Sequence, residues 1–183
     1  INLTDLAINF GNKSLFENSS LTFDPGKCYG IVGANGTGKS TLLRLISGDE
    51  KPVSGTISVP AKINIGVLRQ NHFQFENITV TEVVLLGKPK LCDAMREKDK
   101  ILQSGKFEGE TGIRLGQLEE IIAEEDGYVA EPFAAEILSG LGITQQYHSG
   151  PMSALSGGYK LRVLLAQLLF QQPDVLLLDE PTN

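Results

Sequence analysis

A run of eight residues, Gly33-Ala34-Asn35-Gly36-Thr37-Gly38-Lys39-Ser40, has the composition needed to hold phosphate. It matches the pattern G-x-x-x-x-G-K-[ST] in full. Glycine adopts unusual φ values and has no Cβ, so successive backbone N–H groups can curl around phosphate oxygens. Lys39 would reach the β- and γ-phosphates of a nucleotide, and the Ser40 hydroxyl would ligate Mg²⁺. We expect residues 33–40, with Thr41 beside them, to bind a nucleotide; the alternative is a glycine-rich turn that matches by chance.

A second candidate site follows an apolar run near the end of the sequence. The run Val175-Leu176-Leu177-Leu178 is typical of a buried parallel strand, and Asp179 and Glu180 come directly after it. Taken alone, two carboxylates in this position indicate only the end of a strand. Beside a phosphate-binding loop, Asp179 would join the Mg²⁺ shell, and Glu180 would orient or deprotonate an attacking water. The two motifs together favour nucleotide hydrolysis.

These motifs need a strand and a helix to position them, and the sequence predicts both. Residues 28–32 form an apolar run suited to a buried strand, with Cys28 as a small buried residue, and residues 40–47 carry leucines at helical spacing before Gly48. A helical region follows at residues 89–142, so the fold class is α/β. The remaining predicted elements are strands at 3–10, 20–23, 56–59 and 174–178 and a helix at 157–170.

Composition limits the class of protein. The sequence of 183 residues is 41% apolar and 21% charged with a net charge of −6, which fits a globular chain and excludes disordered and fibrous ones. An acidic balance argues against binding nucleic acid by charge alone, and no DNA partner is expected. The two cysteines form no CxxC pair, and no apolar stretch approaches the roughly 20 residues that cross a bilayer. We expect a reduced, cytoplasmic setting without direct membrane insertion.

The tetrapeptide Leu155-Ser156-Gly157-Gly158 resembles the signature of ATP-binding cassette (ABC) proteins. It opens a predicted helix, so Ser156 and the N–H groups of Gly157 and Gly158 could hold an anionic phosphate. In isolation, a serine N-cap followed by two flexible glycines explains it equally well. Its position favours the resemblance, because the helix from Tyr159 leads directly into the strand that ends at Asp179-Glu180, as it does in cassettes.

The resemblance covers nearly the whole chain. It implies an ABC ATPase core of the P-loop NTPase fold, with a mixed sheet, an antiparallel β subdomain and a helical lid or arm subdomain. It also implies that Phe10 stacks on the adenine of ATP and that Gln70 joins the shell of Mg²⁺ and water. Phe10 could instead be a core residue, and Gln70 a solvated strand end. The implied cofactors are ATP and Mg²⁺.

Several segments are more narrowly similar to the first, N-terminal cassette of an ABC-F protein, in the bacterial subgroup with a short arm. ABC-F proteins carry two cassettes on one chain and act on ribosomes, so the implied partners are a second cassette and the ribosome with its tRNA. ATP binding would close the two-cassette sandwich, and hydrolysis would reopen it. Tyr159 is a departure from this pattern, because many cassettes have Gln or Glu directly after the signature glycines. The similar segments include Leu15-Phe16-Glu17-Asn18, residues 29–36, Gly150-Pro151-Met152-Ser153, residues 160–167 and Asp179-Glu180-Pro181-Thr182-Asn183.

The resemblance also implies an arrangement of segments along the chain. We expect the first part of the ATP-binding core at 1–87 and a helical subdomain with a candidate arm hairpin at 88–150. The signature helix would follow at 151–183, together with the strand that ends at Asp179-Glu180, called the Walker B strand in cassettes. The switch histidine of cassettes would lie beyond Asn183, so the chain is expected to be truncated after the Walker B segment. We therefore expect this piece to bind ATP weakly and hardly to hydrolyse it.

Other functions fit the same motifs. A nucleotide-binding subunit of an ABC membrane transporter would need a separate membrane partner, and a chromosome or repair ATPase would need a long coiled coil, which the short helical stripes disfavour. In an ABC-F protein, the arm would contact RNA, with Lys98, Lys100 and Lys106 as candidate phosphate contacts. Residues 88–126 contain 7 basic and 10 acidic residues and no basic stripe, so an enlarged lid is the alternative.

Overall fold

The structure is a computed structural model that describes residues 1–10, 13–68, 75–105 and 108–181, apart from the side chains of residues 9, 10, 13 and 14. The chain divides into two compact units. The strand unit contains residues 1–69 and 173–181, and the helical unit contains residues 70–172 and 182–183. The contacts thus divide the chain after residues 69 and 172, whereas the sequence suggested segments that end at 87 and 150.

A three-stranded antiparallel sheet opens the strand unit. Its strands are β1 (Asn2–Phe10), β2 (Lys13–Thr22) and β3 (Ser54–Ser58), in the order β2-β1-β3. Alternation along β1 buries Leu6 and Ile8, which join the leucines of helix α1 (Lys39–Ser47) in one core cluster. The sequence predicted all three strands, although β2 begins well before the expected residue 20.

A parallel pair of strands completes the described part of this unit. Strand β4 (Ile65–Leu68) pairs with β5 (Val175–Leu178), so that Ile65 lies opposite Val175. The Asp174 carboxylate accepts the Asn64 N–H at 2.8 Å and thereby fixes the start of both strands. Leu177 is buried in the same cluster as α1, and full burial of such a side chain contributes about 1.5–3 kcal/mol. The core of this unit therefore contains residues from near the beginning and near the end of the sequence.

Residues 28–32 do not form the buried strand that the sequence predicted. They belong to no helix or strand, and Val32 is 96% exposed. Cys28 is exposed as well, so its assignment as a small buried residue was wrong. A strand needs a neighbour that pairs with its N–H and C=O groups, and no strand among the described residues pairs with this segment. An apolar run therefore shows that a segment could be buried, but whether it is buried depends on an adjacent strand that pairs with it.

The described part of the helical unit is built from five α-helices. Their most buried side chains include Leu91, Leu118, Leu138 and Val163, each of which has no exposed surface. None of the helices in the described ranges has the length and the apolar character that crossing a membrane requires. The helices are α2 (Val80–Leu85), α3 (Pro89–Ser104), α4 (Glu110–Glu124), α5 (Ala130–Gly140) and α6 (Gly157–Phe170).

Helix α2 was not predicted, because its run of valines favours a strand by propensity. Its start carries a signal that could have identified it. Thr79 is the N-cap, and its side chain accepts the N–H of Glu82 at 3.3 Å, so a threonine followed three residues later by a glutamate marks the helix start. Burial of Val80, Val83 and Val84 then outweighs their strand propensity.

Candidate nucleotide-binding site

The phosphate loop, residues 33–40, ends at the N-terminus of α1. Gly38 is the N-cap with a left-handed φ of 95°, and no side chain caps the helix. The first N–H groups of a helix have no partner within it, and they carry its partial positive charge. An anion such as phosphate is the ligand that satisfies these donors. The helix predicted from Ser40 thus begins one residue earlier, at Lys39, and in the position that the motif requires.

The phosphate loop is held in place by its own residues. Thr37 Oγ1 donates to Ala34 O at 2.8 Å, and Lys39 Nζ donates to Gly33 O at 2.9 Å and to Ala34 O at 3.1 Å. The Lys39 ammonium therefore closes the loop through neutral carbonyl groups. Phosphate oxygens carry full charge and accept stronger hydrogen bonds from an ammonium than carbonyls do. A bound phosphate could thus replace these carbonyls as the partner of Lys39.

Two glycines of the loop lie very close to neighbouring side chains. A Cβ at Gly33 would lie 2.8 Å from Thr37 Oγ1, and a Cβ at Gly38 would lie 3.0 Å from the ring of Phe16. Gly38 also has a positive φ, which costs other residues about 1–2 kcal/mol. A side chain at either position would therefore force its neighbour to move.

A cavity of about 450 Å³ lies against the phosphate loop. Glu180 also lines it, although Glu180 follows the last strand of the unit and the loop lies in the first third of the chain. Sites for small ligands occupy about 300–1,000 Å³, so the cavity has a suitable size. The structure thus brings the two predicted motifs together. The lining residues are Leu15, Asn35, Gly36, Gly38, Lys39, Ser40, Thr41, Arg44 and Glu180.

The two carboxylates after β5 have different surroundings. Asp179 is half-buried, whereas Glu180 is exposed and has a φ of 45°. A left-handed backbone is uncommon for a residue other than glycine, and such positions are concentrated at functional sites. This conformation turns the chain directly after the strand, at the edge of the cavity.

Arg44 is a site residue that the sequence did not reveal. It lines the cavity, its Nη2 donates to Thr41 Oγ1 at 3.5 Å, and its Nε pairs with Glu50 at 3.4 Å. Arg44 stands four residues after Ser40, and residues four apart share one face of a helix. That spacing is the signal that could have identified it.

Two predicted ligands cannot be placed in the site. Phe10 ends β1, but its side chain lies outside the described residues, and so does Gln70. Their expected contacts with adenine and with Mg²⁺ stay predictions.

The signature loop, Ser156 to Gly158, belongs to the helical unit. Ser156 is the N-cap of α6, yet its side chain makes no capping hydrogen bond. All three residues are exposed, and nothing lies within 4 Å of a Cβ built on either glycine. Leu155 immediately before them is only 6% exposed and anchors the loop. The loop therefore presents polar groups outward from a fixed base.

Several charges of the hairpin formed by α3 and α4 are paired with one another. Arg114 donates to both carboxylate oxygens of Glu97 at 2.6 Å, and Lys98 pairs with Glu119 at 2.7 Å. The hydrogen bonds from Arg114 hold the pKa of Glu97 below its ordinary value, and the bond from Lys98 lowers the pKa of Glu119. Lys98 thus has a carboxylate partner within the protein, and Lys106 lies outside the described residues.

Comparison with known proteins defines the class. The family model described as ABC transporter matches residues 16–183, so the chain belongs to the ABC transporter family of ATP-binding cassettes. Among solved structures, a nucleotide-free ATP-binding cassette from an ABC transporter has a TM-score of 0.66 at 23% identity and covers 100% of this chain and 69% of that one. The dimeric post-hydrolysis cassette MJ0796, bound to ADP and Pi, has a TM-score of 0.63 at 20% identity, with 99% and 74% covered. These likenesses confirm the predicted ABC ATPase fold.

The curated relatives place the chain more narrowly. It is 45% identical to the uncharacterized ABC transporter ATP-binding protein YkpA of Bacillus subtilis, over 100% of this chain and 34% of YkpA. It is 46% identical to the probable ATP-binding protein YbiT of Escherichia coli O157:H7, over 98% of this chain and 34% of YbiT. ABC transporter F family member 4 of Arabidopsis thaliana is 32% identical, over 100% and 26%. These similarities agree with the predicted ABC-F resemblance, and the chain spans about a third of the length of the first two relatives.

Proposed function

We propose that this cassette is an ATP-binding half of a soluble, cytoplasmic ABC-F ATPase that acts on the ribosome as a translation factor. The observation that carries the proposal is the cavity that the phosphate loop shares with Glu180. A phosphate-binding loop alone would support binding, and a carboxylate beside it adds a group that can accept a proton. The proposed reaction is hydrolysis of ATP to ADP and phosphate.

The phosphate loop would hold the triphosphate. The N–H groups at the start of α1 would bind its oxygens, and the Lys39 ammonium would exchange Gly33 O and Ala34 O for the β- and γ-phosphates. Asn35, Gly36 and Thr41 line the cavity beside them. Phe10 would stack on the adenine.

The oxygen ligands at this site suit Mg²⁺. The Ser40 hydroxyl, the Asp179 carboxylate and the Gln70 amide are hard donors of the kind Mg²⁺ prefers. Among the described residues, no group of three or more His, Cys, Asp or Glu side chains could hold a metal, which fits an ion that binds together with nucleotide oxygens. When bound, Mg²⁺ neutralises phosphate charge. Glu180 would orient the attacking water and accept its proton.

The signature loop would act on a second cassette of the same protein. Ser156 Oγ and the N–H groups of Gly157 and Gly158 are exposed, so they are available to a γ-phosphate bound by a partner cassette. Only the closed pair of cassettes offers this second set of contacts, so ATP binding would favour closure and hydrolysis would reverse it.

The ribosome is the proposed partner of the closed state. The F sub-family names of several relatives and the ABC-F segments of the sequence support this assignment. The α3–α4 hairpin would be the arm that makes the contact. Its paired charges favour contact through shape and a few exposed side chains such as Lys100, and a basic surface is not required.

Replacing Glu180 tests the proposed hydrolysis in the complete protein. Glu180→Gln keeps the size of the side chain but cannot accept a proton, so we expect kcat for ATP to fall about 100- to 10,000-fold. The affinity for a fluorescent ATP analogue should stay within about twofold, because Gln keeps the cavity filled. Glu17→Gln, an exposed change on β2, is the control. Turnover that survives Glu180→Gln would overturn the proposed role.

Sedimentation with ribosomes tests the proposed partner. The Glu180→Gln protein with ATP should stay closed and sediment with ribosomes, whereas the wild type with ADP should remain in the supernatant. Adding Lys39→Ala should abolish sedimentation, since closure needs bound ATP. Recovery of the protein with membrane fractions and not with ribosomes would favour the transporter alternative.

A further inference from the structure

We propose that Glu76 is a positioning residue that clamps both ends of the signature loop. This inference rests on the proposed function, because it assigns Glu76 a role in presenting that loop to the second cassette. Glu76 lies in the segment that precedes α2 and touches neither nucleotide nor water in this role. It acts through Ser153 on one side of the loop and Lys160 on the other.

Two hydrogen bonds define the clamp. The Glu76 carbonyl oxygen accepts the backbone N–H of Ser153 at 3.0 Å, and its carboxylate Oε1 accepts from Lys160 Nζ at 2.7 Å. Ser153 precedes the signature loop by three residues and Lys160 follows it by two. One residue therefore holds the chain where it enters the loop and where it leaves.

Further bonds make the clamp rigid. Lys160 N–H donates to Ser156 O at 2.9 Å, which ties the Lys160 backbone to the signature serine itself. Met152 N–H donates to Ile78 O at 2.9 Å, and Thr79 forms an antiparallel bridge with Pro151. The segment that carries Glu76 is thus attached along its length to the residues before the loop. Displacing Glu76 would displace the base of the loop.

The ion pair between Lys160 and Glu76 is more enclosed than the pair between Arg114 and Glu97 in the hairpin. The Lys160 and Glu76 side chains are 12% and 31% exposed, whereas Arg114 and Glu97 in the hairpin are 43% and 42% exposed. Reduced solvent screening strengthens an ion pair, and removing one partner then leaves the other charge poorly solvated. The pair therefore fixes position to a degree that an exposed pair does not.

The signature loop needs this fixation because its own residues provide little. The Ser156 side chain makes no capping bond, and nothing lies within 4 Å of a Cβ built on either glycine. Donors aimed at a phosphate stabilise it only when their geometry is set beforehand, and a shift of 1 Å can cost about 100-fold in rate. Glu76 and Lys160 supply that geometry from outside the loop.

Charge removal and charge exchange test the clamp in the complete protein. We expect Glu76→Gln and Lys160→Gln each to lower kcat for ATP about 10- to 100-fold. The affinity for ADP should change less than about twofold, because the phosphate loop keeps its own bonds. The double variant Glu76→Lys with Lys160→Glu restores the pair in reverse and should recover most of the lost kcat. Glu97→Gln is the matched control, because it breaks an exposed ion pair in the same unit, and it should keep kcat.

Amide hydrogen exchange provides a readout that does not need turnover. Exchange at Gly157, Gly158 and Tyr159 should accelerate in Glu76→Gln and return toward wild type in the exchanged double variant. The proposal is overturned if exchange there and kcat are unchanged in Glu76→Gln, if ADP affinity falls in parallel with kcat, or if Glu97→Gln has the same effect. If the wild type shows no ATP turnover but exchange at the signature loop still accelerates in Glu76→Gln, the proposed function would be wrong and the clamp would still be supported.

Discussion

The phosphate loop and the signature loop are both glycine-rich, and both stand at the N-terminus of a helix, yet they are held in different ways. The phosphate loop closes on itself, through Thr37 to Ala34 and Lys39 to Gly33, over three and six residues. The signature loop, in contrast, is held at Lys160 by Glu76, which lies 84 residues earlier in the chain. One loop is therefore a local structure, and the other depends on its unit.

This difference explains why the two motifs tolerate different changes. A local loop keeps its shape if its own residues are intact, whereas a loop held from outside loses its geometry when a distant partner changes. Residues that matter for the first are contained in its motif. Residues that matter for the second, such as Glu76 and Leu155, include positions that bear no ligand.

The largest expected effect is on stability, and it comes from a substitution at the base of the signature loop. Leu155→Ala removes a side chain that is 6% exposed, so we expect the free energy of unfolding to fall by about 2–5 kcal/mol. Denaturant unfolding followed by circular dichroism measures this loss. Leu102→Ala, at a position that is 46% exposed, is the matched control and should stay within about 0.5 kcal/mol of wild type. Equal losses in the two variants would contradict the dependence of the loop on its buried base.

The next effect separates function from stability in the phosphate loop. Lys39→Ala removes the charged donor, and since such a bond is worth about 1.5–3 kcal/mol, nucleotide affinity should fall about 10- to 100-fold. The melting temperature should hardly change, because the bonds that Lys39 makes within the described part of the chain go to two carbonyls of its own loop at an exposed site. Titration with a fluorescent ATP analogue gives the affinity. Lys27→Ala, which removes an exposed lysine paired with Asp24, is the control and should bind as wild type does.

The smallest effect concerns the exposed ion pairs of the hairpin, which contrast with the enclosed pair of Glu76. Arg114 holds the pKa of Glu97 below its ordinary value, so the folded state favours the ionised carboxylate. The resulting stability is present above the unfolded pKa of about 4.3 and is lost as the pH falls through the lower folded pKa. The protection factors for hydrogen exchange in α3 and α4, which are corrected for the pH dependence of the intrinsic rate, should therefore fall below about pH 4 in the wild type.

The Glu97→Gln variant sharpens this test. It removes the titrating group, so part of the acid-induced fall in protection factors should disappear, and Arg114→Met should have the same consequence. The change is small because both side chains are more than a third exposed and solvent screens the pair. An identical pH profile in wild type and Glu97→Gln would contradict the contribution of this pair.

Much of the fold could be predicted because its signals are local. Helix α6 has the predicted bounds, and β1, β3 and β5 lie within two residues of theirs. The wrong or missing predictions concern segments whose structure depends on residues packed against them. Residues 28–32 have the composition of a strand but no pairing strand among the described residues, and α2 has strand-forming valines that burial turns into a helix.

The residues of the candidate site also fall into those with a local sequence signal and those without one. Spacing alone identified Lys39, Ser40 and Glu180, because the chemistry of a phosphate loop requires particular residue types at fixed positions. Glu76 carries no such pattern, and Arg44 carries only its spacing of four residues from Ser40, so their neighbours in space give them a role.

The sequence by itself determined the family of this protein, the phosphate loop with its helix, and the carboxylates at the end of β5. These depend on backbone conformation and on residues within a few positions of one another, which propensity and spacing encode. The tertiary structure decided that Glu180 lines the cavity of the phosphate loop and that Glu76 reaches both ends of the signature loop. Such contacts join residues far apart in the chain, and their free energy comes from burial and reduced screening, which exist only once the units have packed.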